Sequence, residues 1–320
     1  MKPILLICAA MVLLGCEKKE PEREANVPDV NPPVQPPVKE TKKSPAKPKV
    51  ELPEVTLTPR IKAALKADEA GNYRRAARLY TVALAAEEAR SAPSWVQLTY
   101  LHHELGNALN YAGLYDKALE HFQKALAIDL KQLGPEHPHV ATCYGNIGKA
   151  HDNKGELDKA LEYYQKALAI YLKQLGPEHP HVATCYNCIG LAHDNKGDND
   201  KALEHYQKAL AIYLKQLGPE HPDVATSYNN IGLVHDEKAE YDKALEHHQK
   251  ALAIRLKQLG PEHPDVATSY HNMAYVYKAK KDLAKAKEYW AKAYAIFSEK
   301  LGPNHPYIKD TKAELNALKE

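Results

Sequence analysis

The sequence predicts an all-α protein built as a solenoid of repeated helical pairs. Two observations support this fold class. Glycines number only 15 among 320 residues, while alanine, lysine and glutamate abound, a composition that favours helices over sheets. A Leu-Gly-Pro-x-His-Pro segment also recurs every 42 residues, starting at Leu133, Leu175, Leu217, Leu259 and Leu301. Repeats of this length indicate a solenoid, in which each unit buries its apolar face against its neighbours.

Residues 1–15 are predicted to be a signal peptide. Lys2 gives a positive start, and an apolar run, PILLICAAMVLL, follows. The run ends in Leu-Leu-Gly-Cys, which resembles a bacterial lipobox. That resemblance implies cleavage after Gly15 and a lipid attached to Cys16. An ordinary cleaved signal and an uncleaved anchor are the alternatives.

Residues 16–56 are predicted to be a disordered, Pro-rich linker. The segment mixes charges of both signs and contains no aromatic residue, so it cannot bury enough apolar surface to fold. Pro-rich chain favours the extended polyproline II conformation, at about 3.1 Å per residue. The linker could therefore hold a folded domain up to ~120 Å from a membrane. The PPVQPPV stretch is alternatively a docking ligand for an aromatic groove.

Within one unit the pattern reads as helix, turn, helix. Pro222 can occupy the first position of a helix, where its missing N–H costs nothing, and Asp223 complements the helix dipole. A second helix follows, with the sequence YDKALEHHQKALAIRLKQL. Gly260 is expected in the left-handed conformation just past its end, and Pro261 prevents continuation. The Leu-Gly-Pro-x-His-Pro segment therefore ends one helix and begins the next.

Each unit resembles a tetratricopeptide repeat, most closely the 42-residue variety found in kinesin light chains. In the fifth unit the family pattern falls on Tyr228, Ile231, Gly232, His235, Ala244, His248 and Ala251. The resemblance implies a right-handed superhelix of helix-turn-helix repeats with a concave groove. It divides the chain into six units, 57–98, 99–140, 141–182, 183–224, 225–266 and 267–306, with a capping helix at 307–320.

Histidines and cysteines are the residues that could carry chemistry. One histidine precedes proline in each turn, as at His221, and we expect it to hydrogen-bond locally at the helix entrance. Equivalent residues of successive units lie too far apart to share an ion, so no metal site is predicted. A Cys185–Cys188 bridge is an open alternative to chance spacing. No nucleophile-base pair or phosphate loop is found, so we predict no catalytic residue and no cofactor.

The first helix of each unit carries the remaining functional signal. Asparagine is unfavourable inside a helix, but its amide can donate to and accept from a peptide backbone. The alternative interpretation is that the asparagines bond between neighbouring helices and hold the superhelix. The family resemblance implies a partner-binding groove formed by Asn146, Asn187, Asn229, Asn230, Asn272, Thr184, Thr226, Lys149, Asp194 and Asp236.

These observations predict a non-catalytic scaffold for protein interactions, lipid-anchored in a bacterial cell envelope. The partner would be a protein or peptide segment, and the lipid would contact the membrane. Nucleic acid is not expected, because the formal net charge is only +2. Two alternatives are an accessory subunit of an envelope enzyme or assembly complex and a self-assembling structural spacer.

Overall fold

The computed structural model describes residues 54–303 and 305–318. The predicted signal peptide, the predicted lipidation site Cys16 and the predicted linker as far as residue 53 lie outside the described residues. All regular secondary structure in the described ranges is α-helical, which confirms the predicted fold class. The helices are α1 (Pro59–Glu69), α2 (Tyr73–Glu88), α3 (Trp95–Tyr111), α4 (Tyr115–Leu133), α5 (Pro138–Asn153), α6 (Leu157–Leu175), α7 (Pro180–Asn195), α8 (Asn199–Leu217), α9 (Pro222–Glu237), α10 (Tyr241–Leu259), α11 (Pro264–Ala279), α12 (Leu283–Lys300) and α13 (Pro306–Ala317).

The helices pack in consecutive pairs, which stack one after another along the chain. We call the first helix of each pair an A helix (α1, α3, α5, α7, α9 and α11). We call the second a B helix (α2, α4, α6, α8, α10 and α12). Each B helix also contacts the next A helix, so apolar side chains are shared between neighbouring pairs. Tyr213 of α8, for example, packs on Val224 of α9. Each pair therefore completes its core only against the next one.

A histidine caps each helix that begins with the His-Pro dipeptide. Nδ1 of His221 accepts a hydrogen bond from the backbone N–H of Asp223 at 3.2 Å. Proline occupies the first helical position after each such histidine. The predicted local bonding at helix entrances is therefore confirmed. The same bond is made by His137, His179, His263 and His305.

The glycine of the turn adopts a conformation that differs in part from the expected one. Gly260 has the predicted positive φ, 83°, but its ψ is 164° rather than the smaller angle of a left-handed helical residue. Pro261 explains the difference, because a residue before proline is excluded from helical ψ values and pushed towards extended ones. This combination of angles is open essentially to glycine alone. The turn therefore requires glycine more strictly than the sequence pattern indicated.

In four of the six pairs, from α3–α4 to α9–α10, a glycine of the A helix lies against a ring of the B helix. A Cβ atom added to Gly190 would come within 2.8 Å of the Tyr206 ring, closer than atoms can approach without a shift. These glycines therefore allow the two helices of a pair to approach closely. The other contacts of this kind join Gly106 to Phe122, Gly148 to Tyr164 and Gly232 to His248.

A surface ion pair between neighbouring helix pairs recurs in successive units. Lys238 Nζ lies 2.6 Å from Asp200 Oδ1, and the same contact recurs between the residues one unit before and one unit after. Because the aspartate is largely exposed, each ion pair adds little to the stability of the stack. Apolar packing therefore stabilises the stack more than these pairs do.

His248 is a polar exception among the buried rings. It is fully buried, and neither ring nitrogen has a hydrogen-bond partner. Burial disfavours the charged imidazole and lowers the pKa of His248 to about 3. The unfolded chain takes up this proton near the ordinary pKa of 6.5. Unfolding therefore binds a proton between these two values, and the contribution of His248 to stability falls as the pH decreases through that window.

We predict that His248→Tyr stabilises the protein. The substitution restores the ring found at the equivalent Tyr164 and Tyr206, and removes two unsatisfied nitrogens. The free energy of unfolding should rise by about 1–3 kcal/mol at neutral pH. The gain over the wild type should widen by about 2 kcal/mol at pH 5, where the unfolded imidazole is charged. Chemical denaturation at both pH values measures it.

The reciprocal change, Tyr206→His, is the matched control. It places an imidazole beside Gly190 and should lower stability, more strongly at pH 5 than at pH 7.5. Parallel pH profiles for wild type and both variants would contradict an uncharged, buried His248.

Candidate functional site

The predicted groove residues lie on successive A helices. Neighbouring A helices contact one another, from α3 and α5 through to α9 and α11. We call the outward side of these helices the A-helix surface. Asn229 is buried, whereas the other nine predicted groove residues are partly exposed. The structure therefore gathers them along one surface, although most of them also bond within the protein.

Asparagine pairs link neighbouring A helices. Asn230 Nδ2 of α9 donates to Asn187 Oδ1 of α7 at 3.2 Å. Asn272 Nδ2 of α11 donates to Asn229 Oδ1 of α9 at 3.0 Å. We call these bonds rungs. They are the inter-helix bonds that the alternative interpretation predicts. Each rung uses one N–H donor and one acceptor lone pair, whereas an amide offers two N–H donors and two acceptor lone pairs. Partner binding by the same side chains therefore stays a prediction.

The rung between α5 and α7 is interrupted at the positions of Gly145 and Cys188. At Gly145 no atom outside the helix lies within 4 Å of where a Cβ would be, so this point of the surface is open. On the other side of α5, Asn146 Nδ2 lies 3.0 Å from His103 Nδ1 of α3. The A-helix surface therefore lacks this asparagine rung between the third and fourth units.

A second line of rungs lies nearer the C-terminal ends of the A helices. Asn153 Nδ2 donates to Asn110 Oδ1 at 3.2 Å, and Asn195 Nδ2 donates to Asp152 Oδ1 at 3.0 Å. Burial raises the pKa of Asp152 to about 6, although the Asn195 bond opposes that shift. The sequence analysis missed this line. The 42-residue spacing of Asn153 and Asn195 was the signal that could have found it.

The threonines and the lysine of the predicted groove serve internal contacts. The Thr184 hydroxyl donates to Pro180 O at 3.0 Å and lies 2.9 Å from Tyr213 Oη. Thr226 Oγ1 donates to Pro222 O at 3.1 Å. Lys149 Nζ donates to Tyr111 Oη at 2.8 Å. These side chains hold the A helices in place, and they reach the surface only in part.

The cysteines of the described residues, Cys143, Cys185 and Cys188, are free thiols. The alternative of a Cys185–Cys188 bridge is therefore not realised in this structure. Burial raises the pKa of the Cys185 thiol to about 12 and that of Cys143 further still. Since the thiolate is the nucleophile, neither is suited to covalent chemistry at neutral pH.

One group of possible metal ligands appears that the sequence analysis did not connect. His103, Asp129 and Cys143 place one ligand atom each within 4.8 Å of one another. They come from three different helices and stand 26 and 14 residues apart, a spacing that no short motif would reveal. The signal in the sequence was the departure of Asp129 from the tyrosines at the equivalent Tyr171 and Tyr213.

The tetratricopeptide repeat family matches residues 97–173, 153–215, 182–257, 238–298 and 265–312. These matches together span more than half of the chain, which belongs to the tetratricopeptide repeat family. The family resemblance drawn from the sequence is therefore confirmed. No curated protein matches the chain. Among the described helices, none is both long and apolar enough to cross a membrane.

Solved structures include kinesin-light-chain-like relatives. BtubC (BKLC) from P. vanneervenii is 25% identical with a TM-score of 0.57, over 78% of this chain and 95% of that one. The nearly identical TPR-like repeats of a candidate kinesin light chain from Podosopora anserina are 27% identical with a TM-score of 0.54, over 63% and 96%. Aspartyl phosphate phosphatase F from Bacillus subtilis, 14% identical over 76% and 70% with a TM-score of 0.56, shares the fold alone.

We predict that the Asn187–Asn230 rung couples α7 to α9. Asn187→Ala, Asn230→Ala and the double variant should show a coupling energy of about 0.5–1.5 kcal/mol, the usual net contribution of a hydrogen bond. Denaturant unfolding of the four proteins measures it. Asn187 and Asn272 are the control pair, because they lie two A helices apart and should be additive within about 0.5 kcal/mol. Equal coupling in both pairs would contradict a specific rung.

Proposed function

We propose that the protein is a non-catalytic scaffold that binds a segment of a partner protein along the A-helix surface. The tetratricopeptide repeat fold supports an interaction scaffold. The observation that carries the proposal is the run of amides on successive A helices, which are partly exposed at Asn187, Asn230 and Asn272. Asn187 and Asn230, and then Asn229 and Asn272, repeat the same polar pair along one line.

Such a line suits a peptide backbone. A backbone offers N–H and C=O groups at regular intervals, and each rung leaves amide capacity unused. The rung also fixes both side chains, so less rotamer entropy is lost when a partner binds. Contact with a backbone would tolerate several partner sequences. Discrimination would fall to the units in which another residue takes an asparagine position, as Gly145 and Cys188 do.

We further propose that the protein is held at a membrane of a bacterial cell envelope through a lipid on Cys16. The support comes from the sequence: the Leu-Leu-Gly-Cys motif and the Pro-rich segment that follows it. The segment would act as a spacer between the lipid and the repeats. A scaffold placed this way would concentrate its partner near the membrane surface.

We predict that Asn230→Ala combined with Asn272→Ala weakens partner capture. With the protein as bait in an envelope extract, the double variant should recover less of the partner than the wild type. The reason is the loss of two amides from the line that the partner would contact. Quantitative mass spectrometry of the bound fraction measures the recovery.

Asn195→Ala is the matched control for this capture. It removes a rung between α5 and α7 at the other line, and should leave recovery unchanged. Both variants must remain folded at the assay temperature, as checked by circular dichroism. Equal recovery by the wild type and the double variant would rule out the asparagine line as the binding surface.

We predict that Cys16→Ser releases the protein from the membrane. In bacterial cells the wild type should sediment with membranes and incorporate a labelled fatty acid, because the thiol of Cys16 carries the lipid. Cys16→Ser should lose the label. Cys8→Ser is the control and should retain it. A labelled Cys16→Ser protein would show that the anchor lies elsewhere.

A further inference from the structure

Three side chains with different ligand atoms meet where the second and third units join. Cys143 Sγ of α5 lies 3.3 Å from His103 Nε2 of α3. It also donates to Asp129 Oδ2 of α4 at 3.4 Å. In a tetrahedral zinc site, bonds of about 2.0–2.3 Å place neighbouring ligand atoms roughly 3.3–3.6 Å apart. The two contacts to the sulfur therefore already have the spacing of a metal site.

The three residues coincide at only one level of the repeat. Elsewhere at least one of the three positions holds a residue that could not serve. Where His103 stands here, later units have Gly145, Asn187, Asn229 and His271. Where Asp129 stands, they have Tyr171, Tyr213, Arg255 and Phe297. Where Cys143 stands, they have Cys185, Ser227, Ser269 and Thr311.

Asp129 is a buried carboxyl group whose charged form would need a compensating cation. The residue is 0% exposed, and its Oδ1 atom accepts no hydrogen bond. Thr99 lies close to it, but its hydroxyl also lacks a bond of normal geometry. A buried carboxyl with one weak S–H donor is costly for the fold, and a bound cation would remove that cost.

We propose that His103 Nε2, the Asp129 carboxylate and Cys143 Sγ bind a zinc ion. Zinc takes thiolate, imidazole and carboxylate ligands in tetrahedral geometry, and this mixed set matches its preferences. The charges also balance, because one dication meets one thiolate, one carboxylate and one neutral imidazole. Binding releases the thiol proton of Cys143 to solvent. The cluster thus becomes a neutral unit that the buried site can hold.

Asn146 is placed to orient His103. Its amide lies 3.0 Å from His103 Nδ1, and half a turn of the amide presents its oxygen to an N–H at that atom. Such a bond fixes the tautomer that leaves Nε2 free for the metal. Asn146 would then be a positioning residue of the zinc site as well as a member of the A-helix surface. His103 is partly exposed, which gives the ion a route in from solvent.

The test is metal binding by the purified full-length chain. After removal of metals with a chelator, the protein is titrated with Co²⁺ as a spectroscopic substitute and then with Zn²⁺. We expect one equivalent of Co²⁺ to produce a thiolate-to-cobalt charge-transfer band that Zn²⁺ displaces. Saturating Zn²⁺ should also raise the melting temperature, because the ion binds the folded state.

Cys143→Ser and Cys185→Ser form a matched pair for this test. Both positions are equivalent in the repeat, and serine occurs naturally at Ser227 and Ser269, so both variants should fold. Cys143→Ser should lose the band and the zinc-induced rise in melting temperature, whereas Cys185→Ser should keep both. Asp129→Asn should lower zinc affinity at least tenfold, and Asn146→Ala should lower it about 10–100-fold.

Two results would overturn the zinc site. One is a wild-type protein that binds no Co²⁺ or Zn²⁺ above the level of Cys143→Ser. The other is a band that Cys143→Ser and Asp129→Asn both retain, which would place the metal on other residues of the chain. In either case His103, Asp129 and Cys143 would be a hydrogen-bonded cluster only.

Discussion

The helix pairs of this protein depend on one close contact, repeated from α3–α4 to α9–α10, between a glycine of the A helix and a ring of the B helix. A single added methyl at Gly190 would collide with the Tyr206 ring. The contact sets the distance between the two helices of a pair, and the fully buried alanines, such as Ala202 and Ala209, are small enough to suit that distance. Where the ring becomes the imidazole of His248, the shape is kept but two polar atoms are left unsatisfied.

The contacts between units differ in kind from those within them. Within a pair the interface is apolar, and the sizes of its side chains set the distance between the helices. Between A helices it includes directional amide bonds, for example from Asn272 to Asn229. Directional bonds specify register, because a shift of one residue breaks them, whereas apolar contacts tolerate small shifts. Part of this polar line is exposed, so side chains that fix the register are also those proposed to contact a partner.

The sequence predicted the periodic features of the fold well. The cap at His221 follows from local chemistry that most copies share. Contacts between non-equivalent residues were not predictable in this way. The Asn187–Asn230 rung needs the relative rotation of two helices, and the cluster of Asp129 and Cys143 needs the packing of three. Prediction of the ψ angle of Gly260 also required the effect of the following proline on the residue before it.

The rungs join each residue to one 43 positions later, although the repeat is 42 residues long. Each A helix therefore has two different sides: Asn229 accepts from the unit that follows, and Asn230 donates to the unit that precedes. A unit with both asparagines is complementary to a copy of itself, because the donor on one side of its A helix matches the acceptor on the other. Duplication of the fifth unit would thus lengthen the array without any new interface. The third unit lacks the accepting side, because Gly145 takes that place, so the asparagine ladder has a defined starting point along the chain.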